Sequence, residues 1–395
     1  MRPAVLYISY DGMLEPLGQS QVLAYLERLA RDWPIHLLSF EKPLDKQNTA
    51  RMALVQKQTS EAGIKWVPLT YHKSPSAPAT AYDIAVGTAV ATAIARRHSV
   101  HIVHARSYVP ALIALSVKKL TGAKFLFDMR GFWADERIDG GLWPKEGWLY
   151  RTTKQLERTF FREADHIVTL THASKRHIQE FDFLKNKTTP ISVIPTCADL
   201  NVFKPQERRH DPIFVLGYVG SAGTWYLFDV FLRFFEALKR RHPAKLLIVN
   251  RNEHDFILSA LADLYLSEND YDLISCEHRD VAHHIRRMDA GVALCKPCYS
   301  KIASAPTKLA EYLGCGVPCV GNEGVGDVKE ILEENRVGVV LTDFSQFDIE
   351  AGADRLLALS SDPDTPRRCV ETARRLFSLD VGVESYNNIY ESLAG

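Results

Sequence analysis

The sequence predicts an α/β protein made of two successive, doubly wound parallel-sheet domains. Three observations predict it. Apolar runs of strand length alternate with amphipathic segments of helix length, which is the punctuation of βαβ units covered on both faces. The alternation pauses at a polar, proline-bearing stretch, Asp199 to Pro212, and then restarts. At 395 residues the chain is long for a single core.

The elements follow in order. Ala4–Ser9 is an apolar, β-rich run, followed by a glycine loop and a helical pattern from Gln19 to Arg31. Strands are expected at Ile35–Phe40, Lys65–Leu69, His101–His104, Lys124–Asp128, His166–Leu170 and Ile191–Ile194. Helices are expected between them at Ala81–Arg97, Pro110–Leu120, Trp148–Ala164 and Lys175–Glu180. After the linker, the strands are Ile213–Val219, Lys245–Asn250, Leu273–Cys276, Gly291–Cys295 and Val337–Leu341. Trp225–Arg241, Phe256–Tyr265 and Val281–Met288 are helical, and Ile349–Leu359, Thr365–Phe377 and Val383–Leu393 form an all-helical end. Ligands are expected at the carboxyl ends of the strands, in the cleft between the domains.

The run Ser304 to Val320 carries the strongest local signal. Pro306 suits a first helical turn, Gly314 and Gly316 stop the helix, and a buried strand follows. Free N–H groups and the positive dipole end face whatever precedes the helix. Thr307 and Lys308 lie at that end, with Glu311 one turn on, on the face of Thr307. This is a cradle for a diphosphate with a carboxylate for sugar hydroxyls, or else a capped helix with a solvated Glu.

Composition is that of a soluble globular protein, and no run approaches 18 uncharged apolar residues. No charged n-region precedes an apolar h-region at residues 1–9. The seven cysteines, an odd number, are expected to be reduced thiols in a cytoplasmic setting. Cys295, Cys298, Cys315 and Cys319 mimic zinc spacing, but packed strand thiols are the preferred reading and no metal ligand set is predicted. Net charge is zero, yet residues 1–205 carry 27 Lys and Arg against 19 Asp and Glu, and the remainder 21 against 29. The basic residues are dispersed, so the asymmetry is either incidental or suits a membrane surface or phosphorylated lipid better than nucleic acid.

Other loops at strand ends carry chemistry-bearing residues. Asp11-Gly-Met-Leu-Glu-Pro-Leu-Gly-Gln-Ser20 lacks G-x-G-x-x-G, so a nicotinamide dinucleotide is not supported. Gly18 permits close backbone approach there, and Gln19 can donate. Phe127 to Arg137 packs Asp128, Arg130, Trp133 and Asp135 after a strand, a set able to orient sugar hydroxyls, neutralise phosphate or stabilise an oxocarbenium. Gly220-Ser-Ala-Gly-Thr224 repeats the strand–glycine–helix logic, and Arg251 and Lys301 are further cations suited to a diphosphate.

Taken together, several segments resemble the family 4 glycosyltransferases of the GT-B fold. Ile194-Pro-Thr-Cys-Ala-Asp199 with Phe203-Lys-Pro205 is similar to that family's interdomain junction, and Val215-Leu-Gly-Tyr-Val-Gly220 to the start of its donor domain. Ala305 to Pro318 is similar to the donor-binding helix, Glu157 with Ala164-Asp-His-Ile-Val168 matches a further pattern, and Phe377, Tyr386 and Tyr390 resemble the helix that crosses back to the first domain. The resemblance implies Rossmann-like domains at 1–205 (acceptor side) and 206–375 (nucleotide sugar), with a crossover helix at 376–395.

It also implies retaining sugar transfer from a nucleotide sugar, without a required metal or other cofactor. Glu311 would bind the donor ribose. Backbone around Pro306, Thr307, Lys308 and Leu309 would meet the nucleotide or its phosphates, with Gly18, Gly220, Ser221, Arg251 and Lys301 as further donor-binding residues. Asp128 and Arg130 are the expected catalytic pair, and Asp11, Gln19, Trp133 and Asp135 the acceptor-side residues. The expected acceptor is a lipid-linked or cell-surface glycan, met at the inner face of the cell membrane, with no nucleic-acid partner. Two departures stand out. The family's second glutamate, eight positions before Glu311, is Ala303 here, and its Arg and Lys after the donor-domain glycine loop are absent. They keep two alternatives open: a non-catalytic nucleotide-sugar-binding or scaffold member, and a nucleotide-sugar epimerase.

Overall fold

The computed structural model describes residues 2–206 and 212–395, and the chain forms two compact units. One comprises Met1–Ile194 with Leu379–Gly395, the other Pro195–Ser378.

The first unit holds a seven-stranded sheet of β1 (Ala4–Ser9), β2 (Ile35–Glu41), β3 (Lys65–Thr70), β4 (Val100–Arg106), β5 (Lys124–Asp128), β6 (His166–Thr169) and β7 (Ile191–Val193). Their order is β3-β2-β1-β4-β5-β6-β7, with every pair parallel. The second unit holds β8 (Phe214–Val219), β9 (Ala244–Val249), β10 (Tyr271–Ile274), β11 (Ala290–Val292), β12 (Cys319–Asn322) and β13 (Gly338–Leu341) in the order β10-β9-β8-β11-β12-β13, again parallel. Strand order reverses between β1 and β4 in one unit and between β8 and β11 in the other. Open α/β sheets bind ligands beyond the carboxyl ends of their strands at such reversals.

Central strands such as β2 are buried on both faces, so they read as continuous apolar runs rather than alternating ones. In the second unit, Leu246 and Ile248 join one core cluster with Phe231 and Phe235, while Leu247 and Val249 join another with Ile285 and Tyr312. Alternate residues of β9 therefore feed two cores, one on each face of the sheet. At Gly291 helix and sheet meet closely. A Cβ there would lie 2.6 Å from the Tyr312 ring, whose hydroxyl accepts the Val219 N–H at 2.9 Å.

Several expectations change. Residues 195–205 pack with the second unit, because Ala198 bridges Ser378 and Phe203 lies against Gly314 of helix Thr307–Gly314. Residues 207–211 of the expected linker lie outside the described residues. The terminal helix, Leu379–Ala394, belongs to the first unit, where Tyr390 bonds His104 and Asn387 accepts from Arg2 and Trp33. The expected helix Gln19–Arg31 starts earlier, at Pro16–Gly18, winds as a π-turn over Gln19–Leu23 and ends as Ala24–Leu29. Helices Pro43–Gln47, Thr49–Glu61, Trp133–Asp139 and Val328–Glu334 escape the apolar pattern because they are short or shallowly buried; Thr49–Glu61 buries only Val55 and Thr59. Cys295, Cys315 and Cys319 are buried thiols of the second unit's core. Among the described residues no helix is long and apolar enough to cross a membrane.

Gly291→Ala should lower stability by about 1–3 kcal/mol, the usual cost of overpacking, because the ring must move off the sheet. A urea titration reads this as a lower midpoint at unchanged slope.

Candidate functional site

Each unit carries a cluster of buried polar groups where its strand order reverses. In the second unit, Gly220 follows β8 at φ +95°, a conformation that favours glycine. Its N–H donates to Val249, and its carbonyl accepts from the Asn250 amide at 3.0 Å. The next N–H groups are occupied from within. Ala222 and Gly223 donate to the two oxygens of Glu253 at 2.9 and 3.0 Å, and Asn250 donates to the same carboxylate at 3.0 Å. Burial alone would raise the Glu253 pKa, but these donors outweigh it and the pKa falls. The loop expected to offer N–H groups to a phosphate thus spends two of them on its own carboxylate. Ser221 contributes its carbonyl, which accepts from the Tyr218 hydroxyl at 2.6 Å.

Cationic charge arrives instead from the segment after β11. Lys308, on helix Thr307–Gly314, is buried, and its Nζ has no hydrogen-bond partner among the described residues. The ammonium lies 4.4 Å from the Tyr218 ring centre and 4.1 Å from that of Tyr226, and a Cβ on Gly220 would be 3.7 Å away. Burial pushes its pKa down to about 8. Lys301, also buried, has its Nζ 4.4 Å from the Trp225 ring centre. The glycine loop lacks Arg and Lys, but its Trp225 and Tyr226 face two lysines supplied from elsewhere. Tyr226 also bridges Cys295, and Trp225 O accepts from Lys296 N, which fixes the aromatic pair against the segment after β11.

Pro306 is the residue capping the helix, one place earlier than expected; Thr307 is the first helical residue and Leu309 is buried in the core. Glu311 is buried, and its Oε1 lies 3.1 Å from Nε2 of His278. Ala303 is fully buried in a short turn, so position 303 presents only a methyl group to the core. Arg251 is half exposed and paired with Glu277 at 2.7 Å, a surface ion pair.

The first unit repeats the loop device. Glu41, at the end of β2 and fully buried, accepts from Met13 N at 2.8 Å, Leu14 N at 3.1 Å and the Ser39 hydroxyl at 2.5 Å. Gly18 is required by packing inside the loop, since a Cβ there would meet the Gly12 carbonyl oxygen at 2.0 Å. Gln19 donates to Met13 O at 2.6 Å. Asp11 accepts from Arg106 Nε at 3.1 Å across the reversal between β1 and β4.

Asp128, the last residue of β5, is fully buried. Its Oδ2 accepts from Tyr386 at 2.9 Å, 3.7 Å from His104 Nε2 and 3.9 Å from Arg130. Burial would raise its pKa, but Arg130, then His104 and Arg106, outweigh that, and the carboxylate stays ionised below the ordinary range. Burial lowers the His104 pKa, so that ring is neutral near pH 7. Arg130 takes φ +58°, and Gly131 follows at +146°. Asp128 Oδ1 and His104 Nε2 keep unfilled hydrogen-bonding capacity among the described residues.

Trp133 and Asp135 sit in a separate network. Asp135 accepts from Tyr150 and Lys154, each at 2.8 Å; Lys154 also pairs with Glu157, which accepts from Tyr108. Trp133 packs edge-on against Trp143, with Arg137 over its ring. The structure thus brings Asp128 and Arg130 together, and keeps Asp135 saturated by internal partners. Reading the sequence missed Glu41, His104, Arg106, Glu253 and His278. For all but His278, which follows the partly buried β10, the one local signal is a charged or imidazole residue within or just beyond a buried strand, which only a partner can justify.

Glu253→Ala would leave the Ala222 and Gly223 N–H groups without acceptors. A loss of about 1–3 kcal/mol is expected, with Glu253→Gln recovering part of it in thermal denaturation.

A glycosyl transferase 4-like domain matches residues 18–196, and a glycosyl transferases group 1 domain matches residues 201–376. No curated protein matches the chain in sequence. Among solved structures, the chain is similar to a glycosyltransferase from Rickettsia africae (14% identity, TM-score 0.72, covering 99% of this chain and 98% of that one). It is similar to a sucrose-phosphate synthase from Thermosynechococcus elongatus (12%, 0.72, 99% of each). Anabaena HepE, solved with UDP-glucose, matches at 13% identity and TM-score 0.66 over 98% of this chain and 99% of that one. With both units matched in sequence and the fold matched along the chain, the protein is a glycosyltransferase and belongs to family 4 of the GT-B fold.

Proposed function

We propose that this glycosyltransferase moves a sugar, with retention of configuration, from a nucleotide sugar to a lipid-linked or cell-surface glycan intermediate. One observation carries the donor half of this reading. A buried ammonium without a hydrogen-bond partner among the described residues, Lys308, and a buried carboxylate, Glu311, lie three residues apart on one helix at the strand reversal of the second unit. Glu311 accepts the ribose hydroxyls. Lys308, with Lys301, meets the diphosphate as its charge grows on departure of the sugar. That HepE was solved with UDP-glucose supports a nucleotide sugar as the partner.

In the first unit, Asp128 is the anionic group for positive charge developing at the anomeric carbon, and Arg130 and His104 set its orientation and ionisation. Asp11, oriented by Arg106, serves the acceptor side. Metal is not required in this scheme, because the lysines supply the charge. The basic balance of residues 1–205 suits a cytoplasmic enzyme meeting an anionic membrane surface. Ala303 favours a second reading, a non-catalytic binder, which turnover distinguishes.

A panel of UDP-, GDP-, dTDP- and ADP-sugars should contain at least one that raises the melting temperature. A hundredfold excess over Kd adds about 2.7 kcal/mol. Glu311→Ala should abolish that shift, whereas Asp128→Asn should keep the shift and lose sugar transfer. Absence of any shift across the panel would sink the proposal, and a shift without turnover would favour the binder.

Lys308 adds a pH dependence. The unfolded chain holds the lysine proton up to about 10.5 and the folded chain to about 8, so the free protein gains stability as pH rises through that interval. Diphosphate binding needs the charged form. Nucleoside diphosphate affinity should therefore be level below about pH 7 and weaken above about pH 8. Lys308→Met should bind weakly at every pH, and isothermal titration across pH 6.5–9 checks both.

A further inference from the structure

His278 lies outside the family motifs quoted above, yet it makes the one hydrogen bond that reaches the Glu311 carboxylate from another side chain among the described residues. It follows β10 and opens a 3-10 turn, His278–Asp280. Its ring packs edge-on against Phe203, centroid to centroid 5.7 Å, and its Nε2 lies 3.1 Å from Glu311 Oε1. The imidazole side chain is 39% exposed and the carboxylate side chain 7%, so the pair joins a buried carboxylate to a ring that reaches solvent.

A carboxylate has about four acceptor positions on two oxygens. The imidazole uses one on Oε1. That leaves Oε2 and the second lone pair of Oε1, enough for two neighbouring hydroxyl groups. Without a partner, a glutamate near a helix start turns about three side-chain torsions and loses that alignment. Holding it in advance removes an ordering cost from binding.

We propose that His278 is a positioning residue for the donor nucleoside, holding Glu311 in the orientation that accepts the 2′- and 3′-hydroxyls of a ribose and so selecting ribonucleotide over 2′-deoxyribonucleotide donors. The proposal rests on the reading of Glu311 given above. Two features of the pair support it. The hydrogen bond to Glu311 raises the His278 pKa above the usual histidine value, which strengthens the pairing near neutral pH. Among the described residues, Glu311 is also the only charged group that faces the ring from another element; Glu277, Arg279 and Asp280 are its neighbours along its own segment. The ring therefore has one directional task.

The test measures Kd for the nucleoside diphosphate that binds best, among UDP, GDP and ADP, and for its 2′-deoxy analogue. The ratio of the two affinities isolates the ribose from the diphosphate, so Lys308 does not enter it. The wild-type protein should prefer the ribonucleotide by about tenfold or more. His278→Ala should weaken the ribonucleotide about five- to thirtyfold, leave the deoxy analogue nearly unchanged, and collapse the ratio toward one. His278→Gln, which carries an N–H donor on a side chain of similar reach, should restore part of the ratio. A variant that merely loosened the fold would weaken both nucleotides alike, and that result overturns the proposal. If Glu311→Ala loses the preference while His278→Ala keeps it, the positioning role fails and the donor-site reading stands. If no ribonucleotide binds, or Glu311→Ala binds like the wild type, the donor-site reading itself fails and takes this proposal with it.

Discussion

Both units depend on how the backbone leaves a strand at the reversal of strand order. A glycine loop there exposes several N–H groups with no ladder partner, and buried N–H groups must be paired. In each unit a carboxylate supplied by the neighbouring strand closes the loop: Glu41 at the end of β2, and Glu253 just beyond β9. The two units thus solve one problem with one device. In the first unit the device is reinforced by Gly18 packing directly on the Gly12 carbonyl. In the second it is extended by Asn250, which ties the loop carbonyl and Glu253 together.

This closure has a consequence for charge. In each loop two N–H groups are already taken by the internal carboxylate. Positive charge beside the loop comes instead from side chains, which the second unit brings on the segment after β11. Aromatic rings from the loop then shield two lysines that would otherwise be costly to bury. Tyr312 fixes the geometry by lying flat on Gly291 and bonding to Val219, so the helix bearing Lys308 and Glu311 cannot slide along the sheet. The glycine loop itself carries no arginine or lysine, and the two buried lysines beside it come from the segment after β11.

In the first unit the terminal helix supplies polar partners to buried groups as well as packing. Tyr386 and Tyr390 reach Asp128 and His104 from a segment more than 250 residues distant in sequence. The carboxylate is held between a phenol, an imidazole and an arginine, and Arg130, His104 and Arg106 keep it ionised although it is fully buried.

By itself the sequence determined the alternation of strands and helices, the two-domain organisation, and the helix bounded by Pro306 and Gly314. These are written in local periodicity, in proline and glycine punctuation, and in motif order. It also marked Lys308 and Glu311, because a helix start places them whatever surrounds it. Tertiary structure alone decided the rest. It assigned residues 195–205 to the second unit, saturated Asp135 with Tyr150 and Lys154, and turned Gly18 toward Gly12. It also joined His278 to Glu311 and Glu41 to the first loop. Apart from Gly18 and Gly12, those pairings link residues 15 to 33 positions apart, and no local pattern encodes them. A buried carboxylate or imidazole reads as an anomaly in a sequence until the fold supplies the partner that accounts for its burial.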